Sequence, residues 1–526
     1  MKSMKKLVTL LFSLVMLCAL AIPVMADETY SITINDAVAG HTYTAYQVFK
    51  GVYSSDSDNN IEYLSDVEWG DDVNGIGILT GLQASTIIGT DFDGKTSAEE
   101  VANVLQGYDN KSEKLDEFAR IVGNNLKTSA TEKSSGVVED KKAIINDLTA
   151  GYYFVKDTGK INDGEIATKF LVKVVGNANV TVKAQAPTLK KEIVKEDGTP
   201  DNHTSANVGD TVKFRLTANV PDMASFNDYT FTMHDTLSEG LTFNKDSVAV
   251  NIGSTKLEKD TNYTLTPLDG NNTFTIKFTK EQLGQYVVHE TGATIVVEYT
   301  ATLNEKALKK DVETNTAYLE YTNNPSVGDT GEPGKTPEVP VYVYDFDLTV
   351  DKFDGTKNDT VNATSKRLNG ATFILYKANG DKKLYYEQNK TTKAVTWTET
   401  KDNATKFTTG EDGKATFKGL EEGAYYLEEI KAPDGYNKLK NPVPVEIKAS
   451  YKEDGTLDTH VEGCKLQHDA DNGHYYQVQS IANKAGALLP STGGIGTTIF
   501  YVLGSIMALG AAVLLIAKKR LNGQDR

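Results

Sequence analysis

Two long apolar runs bracket this chain, and short alternating runs fill the space between them. Leu7 to Pro23 is apolar behind Lys2, Lys5 and Lys6, and Val24-Met25-Ala26 places small residues at the cleavage positions. Residues 1–26 therefore read as a secretory signal peptide, with the mature chain starting near Asp27. At the other end Ile495 to Ala517 carries no charge and Lys518-Lys519-Arg520 follows. A helix of about 20 apolar residues crosses a bilayer, and a basic cluster behind it stays on the cytoplasmic side, so the preceding residues lie outside.

Between these runs the pattern changes twice. Residues 27–185 are mixed: Thr42 to Val52, Gly151 to Lys156, Phe170 to Val175 and Val180 to Lys183 read as strands. Ser97-Ala98-Glu99-Glu100 forms a capping box ahead of the stripe Val101, Val104, Leu105 and Tyr108. A second stripe has Leu115, Phe118, Ala119 and Val122, so a helical insertion on a β framework is expected. Residues 186–345 alternate with period two in Val212 to Val220, Tyr229 to Met233, Phe274 to Phe278 and Ile295 to Leu303. Residues 346–487 have the same texture. Asp197-Gly198, Asp269-Gly270, Asn379-Gly380, Asp412-Gly413 and Asn472-Gly473 punctuate the runs. Short alternating strands between such turns predict antiparallel β sandwiches, three in a row.

Composition narrows the function. The net charge of −17 and pI near 5.0 argue against nucleic acid as a partner. Cys18 is lost with the signal, so the mature chain keeps Cys464 alone and forms no internal disulfide. An extracellular chain of small domains then needs another staple. His468, Asp469, Asp471 and His474 flank Asn472-Gly473 and read as a solvated hairpin tip, with no metal and no cofactor expected. No Gly-x-Ser-x-Gly motif supports a serine hydrolase.

Strand parity puts charges where apolar residues belong. Phe346, Leu348, Val350 and Lys352 share a face; so do Tyr425, Leu427 and Glu429, and Ile481 and Asn483. Burial lowers an amine's pKa and raises an acid's. A neutral Lys352 amine facing a protonated Glu429 could attack the Asn483 carboxamide and expel ammonia, leaving an amide. The competing reading lets Lys352 snorkel to the rim and leaves Glu429 in a surface ion pair. In the second region Leu189, Lys191 and Ile193 share a face, as do Tyr229, Phe231, Met233 and Asp235, and Asn315, Ala317, Leu319 and Tyr321. Lys190 and Asn323 compete with Lys191 and Asn315, and Asp235 also suits a turn cap before Thr236-Leu237-Ser238.

Several motifs resemble a known family. Leu489-Pro490-Ser491-Thr492-Gly493, followed by the apolar span and basic tail, resembles the sorting signal of Gram-positive surface proteins. Tyr425-x-Leu427-x-Glu429-x-x-Ala432-Pro433-x-Gly435-Tyr436 resembles the E-box of Cna B-type domains, with Ile430 where that box usually has Thr. Lys352 before Asp354-Gly355, Leu368 to Phe373, and Asn483 before the sorting signal match the same pattern. Over essentially its whole length the chain resembles sortase-assembled pilin backbone subunits.

That resemblance implies a mainly β protein of tandem immunoglobulin-like, Cna-type sandwiches. Its layout would be a signal peptide (1–26), an N-terminal pilin domain with a helical insertion (27–185), an isopeptide-forming sandwich (186–345), a Cna B-type sandwich (346–487) and a sorting signal (488–526). It implies Lys352–Asn483 and Lys191–Asn315 cross-links assisted by Glu429 and Asp235. A sortase would cut after Thr492 and pass its acyl group to an amine. The family's Tyr-Pro-Lys acceptor is absent; Val180-Thr181-Val182-Lys183 stands nearest, making Lys183 the candidate polymerisation lysine. Implied partners are pilus-specific and housekeeping sortases, peptidoglycan, other copies of the chain, minor pilins, and a host extracellular protein or glycan. The alternative function is a monomeric wall-anchored adhesin.

Overall fold

The computed structural model describes residues 28–521 apart from 57–60, 111, 131–132, 183–185, 222, 224–225, 227, 269–272, 285, 287–292, 326–332, 471–472 and 487–494. The signal peptide, Lys183 and Leu489 to Gly493 lie outside the described residues. The described residues form two compact units: one runs to Asp345 and includes Tyr451–Asp458, and the other starts at Phe346.

In the first unit, the N-terminal part holds two sheets. Strand Tyr30–Asn35 lies between Lys142–Leu148, antiparallel, and Ala178–Thr181, parallel. The long strand Thr42–Asp56 pairs with Ile61–Trp69, Lys133–Val137 and Gly151–Asp157, and Lys169–Val174 extends the sheet. The expected helical insertion follows the strand Ile61–Trp69. Helix Ala98–Leu105 starts on the Ser97/Glu100 capping box, and Glu113–Gly123 buries Phe118, Ala119 and Val122. A third helix, Gly75–Ala84, was not expected, because Gly75, Gly77 and Gly81 all disfavour helix. Packing overrides propensity there. A Cβ at Gly81 would stand 2.8 Å from the Ile121 side chain, so the glycine lets two helices approach while Ile78 and Leu82 reach the core.

The rest of the first unit is a sandwich of two sheets. One is ordered Pro200–Asp201, Leu189–Val194, Thr211–Asn219, Thr294–Leu303, Leu241–Ile252, Thr255–Lys256. The facing one carries Val339–Tyr344, Glu313–Tyr321, Phe231–Leu237 and Thr273–Phe278 side by side. Alternate residues of both, such as Phe214, Leu216, Val297, Ala301, Phe231, Met233 and Leu319, interleave in one buried core, as half-buried alternating strands must.

The second unit is again a sandwich. Its four-stranded sheet is ordered Lys414–Leu420, Phe346–Asp354, His474–Asn483, Leu466–Asp469. The other sheet centres on Thr372–Asn379 and Gly423–Lys431. In this unit the expected antiparallel pairing fails between Phe346–Asp354 and His474–Asn483, its first and last strands, which run parallel. A hairpin turn cannot join parallel neighbours; these two are joined by the whole sandwich between them. Beyond it, Ile495–Leu521 is a single helix whose Thr498–Arg520 stretch is long and apolar enough to cross a membrane.

Candidate functional site

Two buried clusters, one in each sandwich, gather the side chains singled out by parity. In the first, Lys191 sits mid-strand opposite Leu216, with its outward neighbour Lys190 exposed and ion-paired to Glu192. Asp235 and Asn315 come from adjacent strands of the facing sheet. Asp235 is in register with Ala317 and Leu237 with Asn315, so the two polar side chains share a face one step apart. Lys191, Asp235 and Asn315 are all buried. Asn323 is buried as well, but it lies beyond the strand's end, where its carbonyl oxygen accepts from the Ala167 N–H at 2.7 Å. Asp235 caps no turn; its Oδ2 accepts from Lys191 Nζ at 2.5 Å and from the Tyr299 hydroxyl at 2.6 Å. That strand begins at Phe231 rather than Tyr229.

The surroundings are apolar and aromatic. Phe214 stacks on Tyr299 with centroids 5.5 Å apart, and Phe243 and Phe274 meet the same ring edge-on. Burial in this wall pushes the Lys191 ammonium down and the Asp235 carboxyl up, each opposed by the other's charge. Both shifts favour the same proton transfer, from ammonium to carboxylate, which leaves two neutral groups. Burial and the nearby Asp235 also hold the Tyr299 phenol well above its ordinary range, so it keeps its proton.

The second cluster has the same parts on a different frame. Along the parallel ladder Lys352 is in register with Ile481 and Asp354 with Asn483, so Asn483 is the diagonal neighbour of Lys352 on the inward face. Lys352 does not snorkel: it is buried, and its Nζ donates to the Ile481 carbonyl at 2.8 Å. Burial lowers its pKa to about 8, with the Glu429 charge opposing. Glu429 descends from the facing sheet. Its Oε1 accepts from Asn483 Nδ2 at 2.9 Å and its Oε2 from the Leu439 N–H at 2.7 Å. The end of the E-box-like segment fixes this arrangement. Gly435, at φ +85°, accepts from the Gly486 N–H, and the Tyr436 hydroxyl donates to Asp354 at 2.9 Å, pinning both terminal strands just past Asn483.

In both clusters the asparagine Oδ1 is buried without a hydrogen-bond partner, as is Asp235 Oδ1. Orphaned buried acceptors are costly. Burial favours a protonated Asp235 carboxyl, the donor that would satisfy the Asn315 acceptor.

Tyr299 is the residue sequence reading missed. Its signal was present: in Ile295-x-Val297-x-Tyr299-x-Ala301-x-Leu303 a hydroxyl stands at a core position. Also unforeseen is a cluster in the N-terminal part, where buried His41 joins Asp157 through Nδ1 and Glu165 through Nε2 at 3.1 Å. It contains no amine and no carboxamide among these partners. Near the suspected hairpin tip His474 lies 3.4 Å from Asp347, and Asp471 is outside the described residues. Among the described residues no three His, Cys, Asp or Glu side chains gather as a metal site.

The fold is that of a multi-domain β-sandwich protein followed by one helix long and apolar enough to cross a membrane. The family model described as a Gram-positive pilin backbone subunit 2, Cna-B-like domain, matches residues 208–325; a prealbumin-like fold domain matches 351–461; and the LPXTG cell wall anchor motif matches 482–520. The chain is 24% identical over 580 residues to the trypsin-resistant surface T6 protein of Streptococcus pyogenes serotype M6, covering 94% of this chain and 95% of that protein. It is 28% identical over 300 residues to the fimbrial subunit type 1 of Actinomyces viscosus, covering 50% of this chain and 51% of the relative. The solved T6 backbone pilin of serotype M6 Streptococcus pyogenes, described as a modular three-domain structure, shares the fold with a TM-score of 0.53 at 17% identity, covering 88% of this chain and 100% of that one. Family-model matches and relatives alike point to the backbone of a Gram-positive pilus, a structural subunit of the shaft held at the cell wall.

Proposed function

We propose that this pilus shaft subunit staples two of its own sandwiches with amide cross-links and is then joined to its neighbours through its sorting signal. The observation that carries the first part is the meeting, inside each buried core, of a lysine, a carboxyl and an asparagine carboxamide. Lys352 Nζ, having passed a proton to Glu429, attacks Asn483 Cγ; the carboxyl polarises the carbonyl, the C–Nδ2 bond breaks, and ammonia leaves with the amine's proton. Lys191, Asp235 and Asn315 follow the same course. Each is a single event on the chain itself, with no external substrate turned over.

The two links would brace different things. Lys352–Asn483 would tie the parallel first and last strands of one sheet, where a pull on the two ends of that sandwich loads the ladder in shear. Lys191–Asn315 would tie one sheet of its sandwich to the other.

For assembly, the module plan is 27–185, 186–345 and 346–487 ahead of the signal at 488–526, with residues 1–26 removed on export. A sortase cuts after Thr492, holds the threonine as an acyl group, and transfers it to Lys183 of another copy or to peptidoglycan. Minor pilins and a host protein or glycan are the further partners in this plan. A wall extract on a denaturing gel tests it. The wild type should give a ladder of covalent multimers, and Lys183→Ala should collapse it to wall-linked monomer while Lys190→Ala leaves it intact. A wild type without a ladder means a monomeric adhesin; a ladder that survives Lys183→Ala moves the acceptor elsewhere.

A further inference from the structure

We infer that Tyr299 is a catalytic residue of the Lys191–Asn315 cross-link, the acid that protonates the departing amide nitrogen. The inference rests on the self-stapling reading above and adds a step to it.

The two clusters differ in one respect. Glu429 reaches Asn483 directly, at 2.9 Å. Asp235 is one methylene shorter, and the Asn315 amide nitrogen bonds instead to the Tyr299 hydroxyl at 2.8 Å. That hydroxyl also accepts from Lys191 Nζ at 2.7 Å and donates to Asp235 Oδ2 at 2.6 Å. A phenol has one proton and two lone pairs, and here all three are engaged by the three members of the reaction. Tyr299 is almost fully buried, and it reaches the cluster from the strand Thr294–Leu303, on the lysine's side of the sandwich.

This placement resolves a problem of proton flow. The proton leaves Lys191 for Asp235, but ammonia departs from Asn315 Nδ2. Tyr299 lies between them. As the Cγ–Nδ2 bond breaks, the phenol proton moves to Nδ2, the Asp235 carboxyl returns one to the phenolate oxygen, and the carboxylate so formed takes the second proton from the lysine nitrogen as that nitrogen becomes the amide N–H. The sum is one amine and one primary amide giving one secondary amide and ammonia, with Tyr299 and Asp235 restored. A phenol held protonated by burial is the right acid for this transfer. The same hydroxyl, by bonding both nitrogens, also keeps the nucleophile beside the carboxamide it attacks.

The test uses the full-length chain purified in detergent, digested at successive times after synthesis and mapped by mass spectrometry. Three chains are compared: wild type, Tyr299→Phe and Phe214→Leu. The phenylalanine keeps the ring contacts and removes only the hydroxyl; Phe214→Leu loosens the same wall and leaves the hydroxyl in place. The expected result is a Lys191–Asn315 cross-linked peptide in wild type and in Phe214→Leu, forming at least about 100-fold more slowly in Tyr299→Phe. The Lys352–Asn483 peptide should form normally in all three. If Tyr299→Phe forms the Lys191–Asn315 link at the wild-type rate, the proposal is overturned. Equal slowing in Phe214→Leu overturns it too, because packing then explains the loss. A wild type lacking the Lys191–Asn315 peptide defeats the underlying reading instead, and the two failures are distinguishable.

Discussion

Lys352→Met isolates the energetic worth of the Lys352–Asn483 cross-link. Methionine refills most of the lysine stem and removes the buried charge, so no unpaired ammonium is left behind to confuse the result. Glu429 keeps its bonds from Asn483 and Leu439. What disappears is the covalent closure of a loop of about 130 residues, which restricts the unfolded chain by on the order of 5 kcal/mol on the loop-entropy account. For a sandwich of this size that corresponds to a drop of roughly 15–20 °C in the unfolding midpoint. Scanning calorimetry of wild type and variant reads the shift, and intact mass reads the chemistry: after correction for the substitution, the variant should be one ammonia heavier. A variant midpoint within a few degrees of a wild type shown to be cross-linked would refute the loop-entropy reasoning.

Glu429→Ala should also regain one ammonia mass and lose protease resistance in the sandwich that starts at Phe346, as limited proteolysis will show. Asn483→Ala keeps Lys352 as a buried, uncross-linked amine whose folded pKa is near 8 against an ordinary 10.5. The unfolded chain then binds more protons between those values, so the variant should gain stability as pH rises from about 8 to 10.5, and Lys352→Met/Asn483→Ala should not; denaturant titrations across that range decide it. Thr492→Ala should leave the chain unlinked to peptidoglycan, in the membrane fraction rather than the muramidase-released fraction.

Strand parity made much of this legible. Lys191, Lys352, Asp235, Glu429, Asn315 and Asn483 stood at core positions of alternating strands, and all six are buried in the structure. Parity could not choose Asn315 over Asn323, because both share a face; only the register with Asp235 separates them. It could not show that Phe346–Asp354 runs parallel to His474–Asn483, since direction of pairing is a property of the whole sandwich and leaves no local mark. Tyr299 escaped notice because tyrosine belongs in a strand core on hydrophobic grounds, and its hydroxyl gains meaning only from what three other strands deliver to it. The Gly75–Ala84 helix was hidden by its glycines, which serve a close helix contact that the sequence does not announce.

The central claim, that buried lysines in this shaft subunit couple themselves to asparagines, is tested most directly by the intact mass of the purified mature chain. The account predicts a mass two ammonia molecules below that of the sequence, with peptide mapping placing one loss at Lys191–Asn315 and the other at Lys352–Asn483. A mature chain at its full sequence mass would contradict it.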